Sequence, residues 1–141
     1  MNTDHLSRCI QTLESSLHLL NQAAVESIEY EVFRNAVVKG FELNLETAGK
    51  LLRKAPKSYT ARPRSVDQLS YKELLRHAAK HGLLETKAVV RWFAYRDNRN
   101  DTAHDYGIAF AAETLVLLHA FIKDARALEK TLKKKSDDPR A

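Results

Sequence analysis

Residue types that cross-link or interrupt a chain are scarce in this sequence, which has one cysteine, three prolines and four glycines among 141 residues. The single cysteine, Cys9, excludes an internal disulfide and favours a reducing compartment. So few prolines and glycines leave room for long uninterrupted helices. The sequence also lacks an apolar run long enough to span a membrane and has no signal-peptide pattern at its start. We therefore expect a cytoplasmic protein without membrane contact.

Hydrophobic residues make up 44% of the chain and charged residues 29%, which is typical of a globular domain with a core of its own. The net charge of +5 is unevenly distributed along the sequence. Residues 1–50 carry a net charge of −3, residues 51–100 carry +8, and residues 101–141 are neutral overall. A basic central region favours a polyanion such as RNA as a partner, and the alternative is an ordinary solvated basic face.

Apolar residues recur at alternating spacings of three and four, which predicts amphipathic helices. The five predicted helices cover residues 6–24, 33–54, 70–80, 86–99 and 108–132, and the third of them starts at a capping box formed by Ser70 and Glu73. Residues 55–69 form a long predicted linker, either a disordered crossing or a flexible basic loop that binds RNA. We predict an all-α up-and-down four-helix bundle with an additional short helix: one domain at residues 1–135 and a frayed tail at 136–141.

A dense polar segment, residues 95–106, separates the last two predicted helices. It is rich in residues that prefer caps and turns, so we predict a helix break at residues 98–102 with Asp101 or Thr102 as the next N-cap. Arg99 and His104 would lie about 140° apart on one continuous helix and could not converge there. Across a break they can meet, with Arg99 ending one helix and His104 in the first turn of the next.

The side chains of this segment suit RNA cleavage without a metal ion. The imidazole of His104 can take a proton from a ribose 2′-hydroxyl, and the planar fork of Arg99 fits a phosphate with developing negative charge. Tyr106 offers a hydroxyl that can donate to phosphate or be modified, and Arg91 and Arg96 can hold further phosphates. The alternative is a polar helix end that is merely capped and solvated.

His77 and His81 are four residues apart, a spacing found in metal sites. No further ligand is evident nearby, and a histidine near a helix C-terminus is favourable without any metal. We therefore expect neither a metal ion nor a cofactor.

Two segments of the sequence resemble HEPN domains. Arg99-Asn100-x-x-x-His104 matches the HEPN signature, and with Tyr106 it matches the form seen in HEPN toxins. Residues 41–50 are similar to the Phe-Glu…Glu…Trp-Lys run of the HEPN subfamily known as nucleotidyltransferase substrate-binding proteins, with Gly49 where relatives usually carry Trp. Gly-Leu-Leu at residues 82–84 also fits this subfamily, and the resemblance covers residues 4–132.

The resemblance implies a homodimeric helical bundle that acts as a HEPN toxin, a metal-independent endoribonuclease. Arg99 and His104 would be catalytic, Asn100 would orient the turn, and Arg96 would bind phosphate. The implied partner is a minimal nucleotidyltransferase antitoxin, which could neutralise the toxin by binding it or by attaching AMP to Tyr106. The alternative is a non-catalytic substrate-binding or partner subunit of such a nucleotidyltransferase.

Overall fold

The computed structural model describes residues 2–58, 60–102 and 108–137. Within these ranges the chain forms six α-helices and one 3₁₀ turn, and no strand. The elements, in chain order, are α1 (Asp4–Gln22), α2 (Ile28–Lys54), the 3₁₀ turn (Ala55–Ser58), α3 (Pro63–Asp67), α4 (Tyr71–Lys80), α5 (Thr86–Thr102) and α6 (Ile108–Asp137). Across the described residues, no helix is both long enough and apolar enough to cross a membrane.

The four long helices form the bundle, which confirms the predicted fold class. Helix α1 packs along α2 and α6, α6 also contacts α2 and α5, and the short helix α4 lies against α2 and α5. Four aromatic side chains, all at most 1% exposed, meet at the centre of the core through edge-to-face contacts, with ring centroids 4.9 to 5.8 Å apart. They are Phe41, Trp92, Tyr95 and Phe121.

Helices α1 and α2 approach each other closely at Gly40. A Cβ at this position would lie 3.2 Å from Leu13 Cδ1, which is tighter than an ordinary contact. One turn further on, the fully buried Asn44 donates from Nδ2 to the carbonyl of Cys9 on α1 (3.0 Å) and to that of Gly40 (2.8 Å). The absence of a Cβ at Gly40 and the buried amide of Asn44 therefore set the distance between α1 and α2.

The predicted ends of α2 and α4 are confirmed. Helix α2 ends at Lys54, directly before the 3₁₀ turn that contains Pro56. Helix α4 begins with Ser70 as its N-cap, whose hydroxyl accepts from the Glu73 amide (3.2 Å). The chain leaves α4 through Gly82, the one described glycine with a left-handed backbone (φ +76°).

The prediction that residues 55–69 form an unstructured linker is wrong for the residues described there. The segment contains the 3₁₀ turn and α3, and its Val66 is buried in the core. Arg53 Nη1 donates to the carbonyls of Val66 and Leu69, both at 3.0 Å, and Lys57 pairs with Asp67 at 2.6 Å. These contacts join residues that are distant in sequence, so the local composition did not indicate them.

Candidate functional site

Helices α5 and α6 are joined by a buried polar cluster around Asp124. Arg91 donates to this carboxylate from Nε and Nη2, both at 2.8 Å, and the Tyr95 hydroxyl donates to it at 2.6 Å. The hydrogen bond to Asp124 raises the pKa of Arg91 above its ordinary range. Burial is the main cause of the raised pKa of Tyr95, and the hydrogen bond to Asp124 raises it further. Arg91 therefore links α5 to α6, and its predicted role as a phosphate ligand stays a prediction.

A second polar contact joins α5 and α6 about one turn of α5 beyond Tyr95. Asn98 Nδ2 donates to the Thr114 hydroxyl at 3.1 Å, and these residues are 9% and 0% exposed. Because this bond satisfies the amide inside the bundle, Asn98 is helical despite its preference for turns. The predicted break at residues 98–102 is wrong: α5 runs through Arg99 to Thr102, so neither Asp101 nor Thr102 begins the next helix.

Arg96 and Arg99 lie one turn apart on α5, and both line a cleft of about 220 Å³ between α2, α4 and α5. Trp92, Tyr95 and Asn98 occupy the buried face of the same helix. The cleft brings Arg99, from one of the segments that resemble HEPN domains, opposite residues 45–50 from another. The described residues that line it are Leu45, Glu46, Gly49, Lys50, Arg53, Tyr71, Leu74, Arg96 and Arg99.

The cleft is strongly basic. Lys50, Arg53, Arg96 and Arg99 line it, and Glu46 is the one carboxylate among its described lining residues. Glu46 is already engaged, because Lys50 lies 3.3 Å from it one helical turn away. The surplus of positive charge suits the negatively charged oxygens of a phosphate group.

Tyr71, the first residue of α4, forms one side of the cleft. The guanidinium carbon of Arg96 lies 4.3 Å from the centroid of its ring, a stacked cation–π contact. Burial raises the pKa of Tyr71 to about 12, although Arg96 and Arg99 act in the opposite direction. The phenol is therefore neutral at physiological pH and can donate a hydrogen bond.

Arg96 also lines a second depression, between the N-terminal end of α4 and α5. This depression contains Phe93, and the Lys72 ammonium and the Arg76 guanidinium each lie 5.5 Å from the centroid of the Phe93 ring. Asp97 is the one acidic residue among its described lining. Aromatic rings and cations therefore alternate across the surface that α4 and α5 share.

The structure describes only some of the predicted site residues. Arg99 and Arg96 lie at the cleft. Asn100 belongs to α5, but its side chain lies outside the described part of the chain, as do His104 and Tyr106 altogether. The proposed meeting of Arg99 and His104 therefore stays a prediction.

His77 and His81 lie at the opposite end of α4, with ring centroids 4.4 Å apart. Burial lowers the pKa of His77, and His81 and Lys80 contribute to the same effect. No group of three or more potential metal-ligating residues occurs within the described ranges.

Sequence reasoning did not assign Tyr71, Arg53 or the opening at Gly49 to the site. Tyr71 was visible only as part of a capping box, and Arg53 only as a basic residue at a helix end. Arg99 was assigned through the motif that resembles HEPN domains, and Arg96 as a basic residue of the same predicted helix that could bind phosphate. Which other elements face them depends on how α4 packs against the bundle, and periodicity does not report that.

The fold and the site define an all-α bundle with a basic cleft beside the C-terminal end of its penultimate helix. The chain belongs to the family described as nucleotidyltransferase substrate binding protein like, whose model matches residues 3–134. A Haemophilus influenzae protein named probable ribonuclease HepT is 23% identical over 96% of this chain and 98% of its own length.

A solved structure from the same organism is similar in fold, with a TM-score of 0.82 and 22% sequence identity. The structural similarity covers 94% of this chain and 99% of the solved chain. That structure is described as the fold of a substrate binding domain of a nucleotidyltransferase.

Proposed function

We propose that this protein is a HEPN toxin, a metal-independent endoribonuclease with Arg99 and His104 as its catalytic pair. The observation that carries the proposal is the basic cleft in which Arg99 of one resembling segment faces residues 45–50 of the other. The similarity to a protein named probable ribonuclease over nearly the full length of both chains supports it.

In the proposed reaction, His104 takes the proton from a ribose 2′-hydroxyl, and the freed oxygen attacks the adjacent phosphorus. The bond from phosphorus to the 5′-oxygen breaks, which leaves a 2′,3′-cyclic phosphate on one fragment and a 5′-hydroxyl on the other. An imidazolium returns the proton to the leaving oxygen. Arg99 stabilises the pentavalent phosphorane with two parallel hydrogen bonds, and Arg96 binds a phosphate beside it. Asn100 orients the turn that carries His104.

The proposed active form is a homodimer in which two Arg99/His104 pairs share one cleft. A single copy would then offer one base and one cation to a reaction that needs both a general base and a general acid. This arrangement makes the activity depend on protein concentration near the dissociation constant of the dimer.

The proposed partner is a minimal nucleotidyltransferase antitoxin, in keeping with the description of the family. It neutralises the toxin by binding it or by modifying Tyr106. In the modification, the phenol oxygen of Tyr106 attacks the α-phosphorus of ATP and pyrophosphate leaves. The AMP group adds negative charge beside Arg99 and repels RNA phosphates.

The test is cleavage of a broad panel of RNAs by the purified protein in EDTA, with mass spectrometry to select unmodified Tyr106. We expect wild type to cut, and both Arg99→Ala and His104→Ala to lose at least about 100-fold in rate, the typical contribution of a positioned acid–base group. Arg62→Ala and His119→Ala are the matched controls, since both residues are exposed and lie outside the cleft. If unmodified wild type leaves every RNA intact, the nuclease proposal fails.

A second function of a different class is a non-catalytic subunit that binds a nucleotidyltransferase and presents its substrate. The description of the family and that of the similar solved structure favour it. Expression in cells separates the two. A toxin slows growth when expressed alone, and His104→Ala relieves the effect, whereas a scaffold copurifies with its nucleotidyltransferase and leaves growth unchanged with or without His104.

A further inference from the structure

Two polar groups in the wall of the cleft are buried without a hydrogen-bond partner among the described residues. They are the Tyr71 hydroxyl and the Nε of Arg96. They belong to the two side chains that stack on each other. An unpaired buried polar group is unfavourable, and a ligand bound in the cleft would offer these two groups a partner. Both groups can donate, so the ligand they fit is rich in acceptors.

The absence of a side chain at Gly49 opens the cleft on the side of α2. A Cβ built at this position would meet only the Tyr71 Cε2, at the ordinary contact distance of 4.0 Å. Glycine inside a helix is unfavourable by about 1 kcal/mol relative to alanine. Packing does not require it here, unlike at Gly40, where Leu13 is close. Gly49 therefore leaves space beside the Tyr71 ring.

Basic and aromatic side chains continue from the cleft along the surface of α4 and α5. From Arg99 the lining passes to the Tyr71–Arg96 stack and then, on the far side of Arg96, to Phe93 with Lys72 and Arg76 above its ring. Proteins that bind single-stranded nucleic acid combine these two features, cations that follow the phosphates and aromatic rings that meet the bases. A double helix is too wide to enter a cleft of about 220 Å³.

We propose that the cleft of Tyr71, Arg96 and Gly49 binds a phosphate of single-stranded RNA next to the one that is cleaved. The strand continues from the cleft towards Phe93. This inference deepens the proposed ribonuclease function and rests on it for the identity of the ligand. It adds a determinant of substrate class, because paired RNA has to unpair locally to reach Arg99.

Binding is measured separately from cleavage with an uncleavable probe, a fluorescein-labelled pool of random 2′-fluoro RNA of about 12 nucleotides, a length that covers several contacts. Gly49→Phe fills the cleft and is expected to weaken binding about tenfold or more, as loss of a stacking or phosphate contact does. Gly49→Ala adds one methyl group and weakens binding less. Ala36→Phe places the same ring at an exposed position of α2 and controls for bulk.

Arg96→Ala is expected to weaken binding and to lower the slope of log affinity against log salt concentration by about 0.7, the value of one phosphate contact on a single strand. Arg96→Lys keeps the charge but loses the stack, and is expected to restore the salt slope without restoring the affinity. Lys130→Ala removes an exposed cation on α6 and is expected to change neither quantity. Thermal unfolding of each variant confirms that it is folded.

Four outcomes decide the proposal. If folded Gly49→Phe and Arg96→Ala bind the pool as wild type does, the cleft is not an RNA subsite, even if wild type cleaves RNA. If a mononucleotide binds in a manner that depends on Gly49 and Arg96 while the RNA does not, the assignment to RNA is overturned. If duplex RNA of the same length binds as tightly as the single strand, the substrate class is wrong. If both variants lose binding, the subsite stands even where no cleavage is detected, and the proposed catalysis alone has failed.

Discussion

The amide of Asn98 on α5 donates to the hydroxyl of Thr114 on α6 across 3.1 Å of the bundle interior. This bond lies one residue before Arg99 in the sequence, and it fixes the rotation of the last turn of α5. That rotation directs Arg96 and Arg99 to the cleft while Tyr95 and Asn98 face the core.

Thr114→Val tests this contact because valine keeps the shape of threonine but cannot accept the bond. The buried amide of Asn98 is then unpaired, so we expect a loss of about 1–3 kcal/mol in the free energy of unfolding. Urea denaturation measures it. Thr12→Val, at an exposed site on α1, is the control and should stay within about 0.5 kcal/mol of wild type. Equal stability of the two variants would contradict a structural role for the bond.

Tyr71→Phe is predicted to make stability less sensitive to alkaline pH. The folded chain holds the phenol proton up to about pH 12, while an unfolded tyrosine releases it near pH 10.0. A raised pKa in the folded state gives stability that is present below pH 10 and is lost as pH rises towards 12. Relative to Tyr71→Phe, the free energy of unfolding of wild type should fall by roughly 1.4 kcal/mol per pH unit between pH 10 and pH 12.

Urea unfolding of both proteins at several pH values between 10 and 12 measures the difference, and Tyr30→Phe corrects for the loss of one phenol elsewhere. Parallel pH profiles for wild type and Tyr71→Phe would show that Tyr71 ionises as an ordinary tyrosine. At neutral pH, loss of the unpaired hydroxyl should leave stability equal or slightly higher, because no hydrogen bond within the described chain is broken.

The two helical glycines of α2 should respond differently to alanine. Gly49→Ala is expected to stabilise the protein by up to about 1 kcal/mol, since the new methyl group meets nothing closer than 4.0 Å. Gly40→Ala gains the same helix propensity but forces Leu13 to move, because its Cδ1 would lie 3.2 Å away. Thermal unfolding should therefore rank Gly49→Ala above Gly40→Ala, and the reverse order would contradict the close approach of α1 and α2.

Arg53→Met is expected to loosen the segment that follows α2. The guanidinium donates to the carbonyls of Val66 and Leu69, both at 3.0 Å, and methionine keeps the apolar stem without the donors. Trypsin should then cleave faster after Arg64, whereas Arg62 is protected in every variant because Pro63 follows it. Lys54→Met removes the neighbouring exposed cation and should leave that rate unchanged. Equal cleavage rates in the two variants would mean that Arg53 does not hold the segment.

The sequence predicted the helices and the ends that local chemistry marks. Ser70 and Gly82 bound α4 as expected, because a cap and a left-handed glycine act within a few residues. It failed at Asn98 and across residues 55–69, where contacts with Thr114 and Arg53 reverse the local preference. Such contacts join distant parts of the chain and leave no periodic signal.

The candidate site was predictable to a similar extent. Arg99 was identified because it belongs to a recognisable motif, and Arg96 because it is a basic residue close to that motif in the sequence. Tyr71 and Gly49 were not, because their place in the site depends on where α4 docks on α2 and α5. Tyr71 also has a complete local explanation as the first residue of a capped helix, so nothing in the sequence required a second role.

The stacking of Arg96 on Tyr71 has a thermodynamic consequence for whatever binds beside it. A free arginine side chain has about 2 kcal/mol of rotamer entropy to lose when it is fixed in place. In this protein the ring, 4.3 Å from the guanidinium carbon, already restricts that side chain in the folded chain. Part of the ordering cost is thus incurred during folding, and an incoming anion meets a preorganised guanidinium instead of having to arrange one.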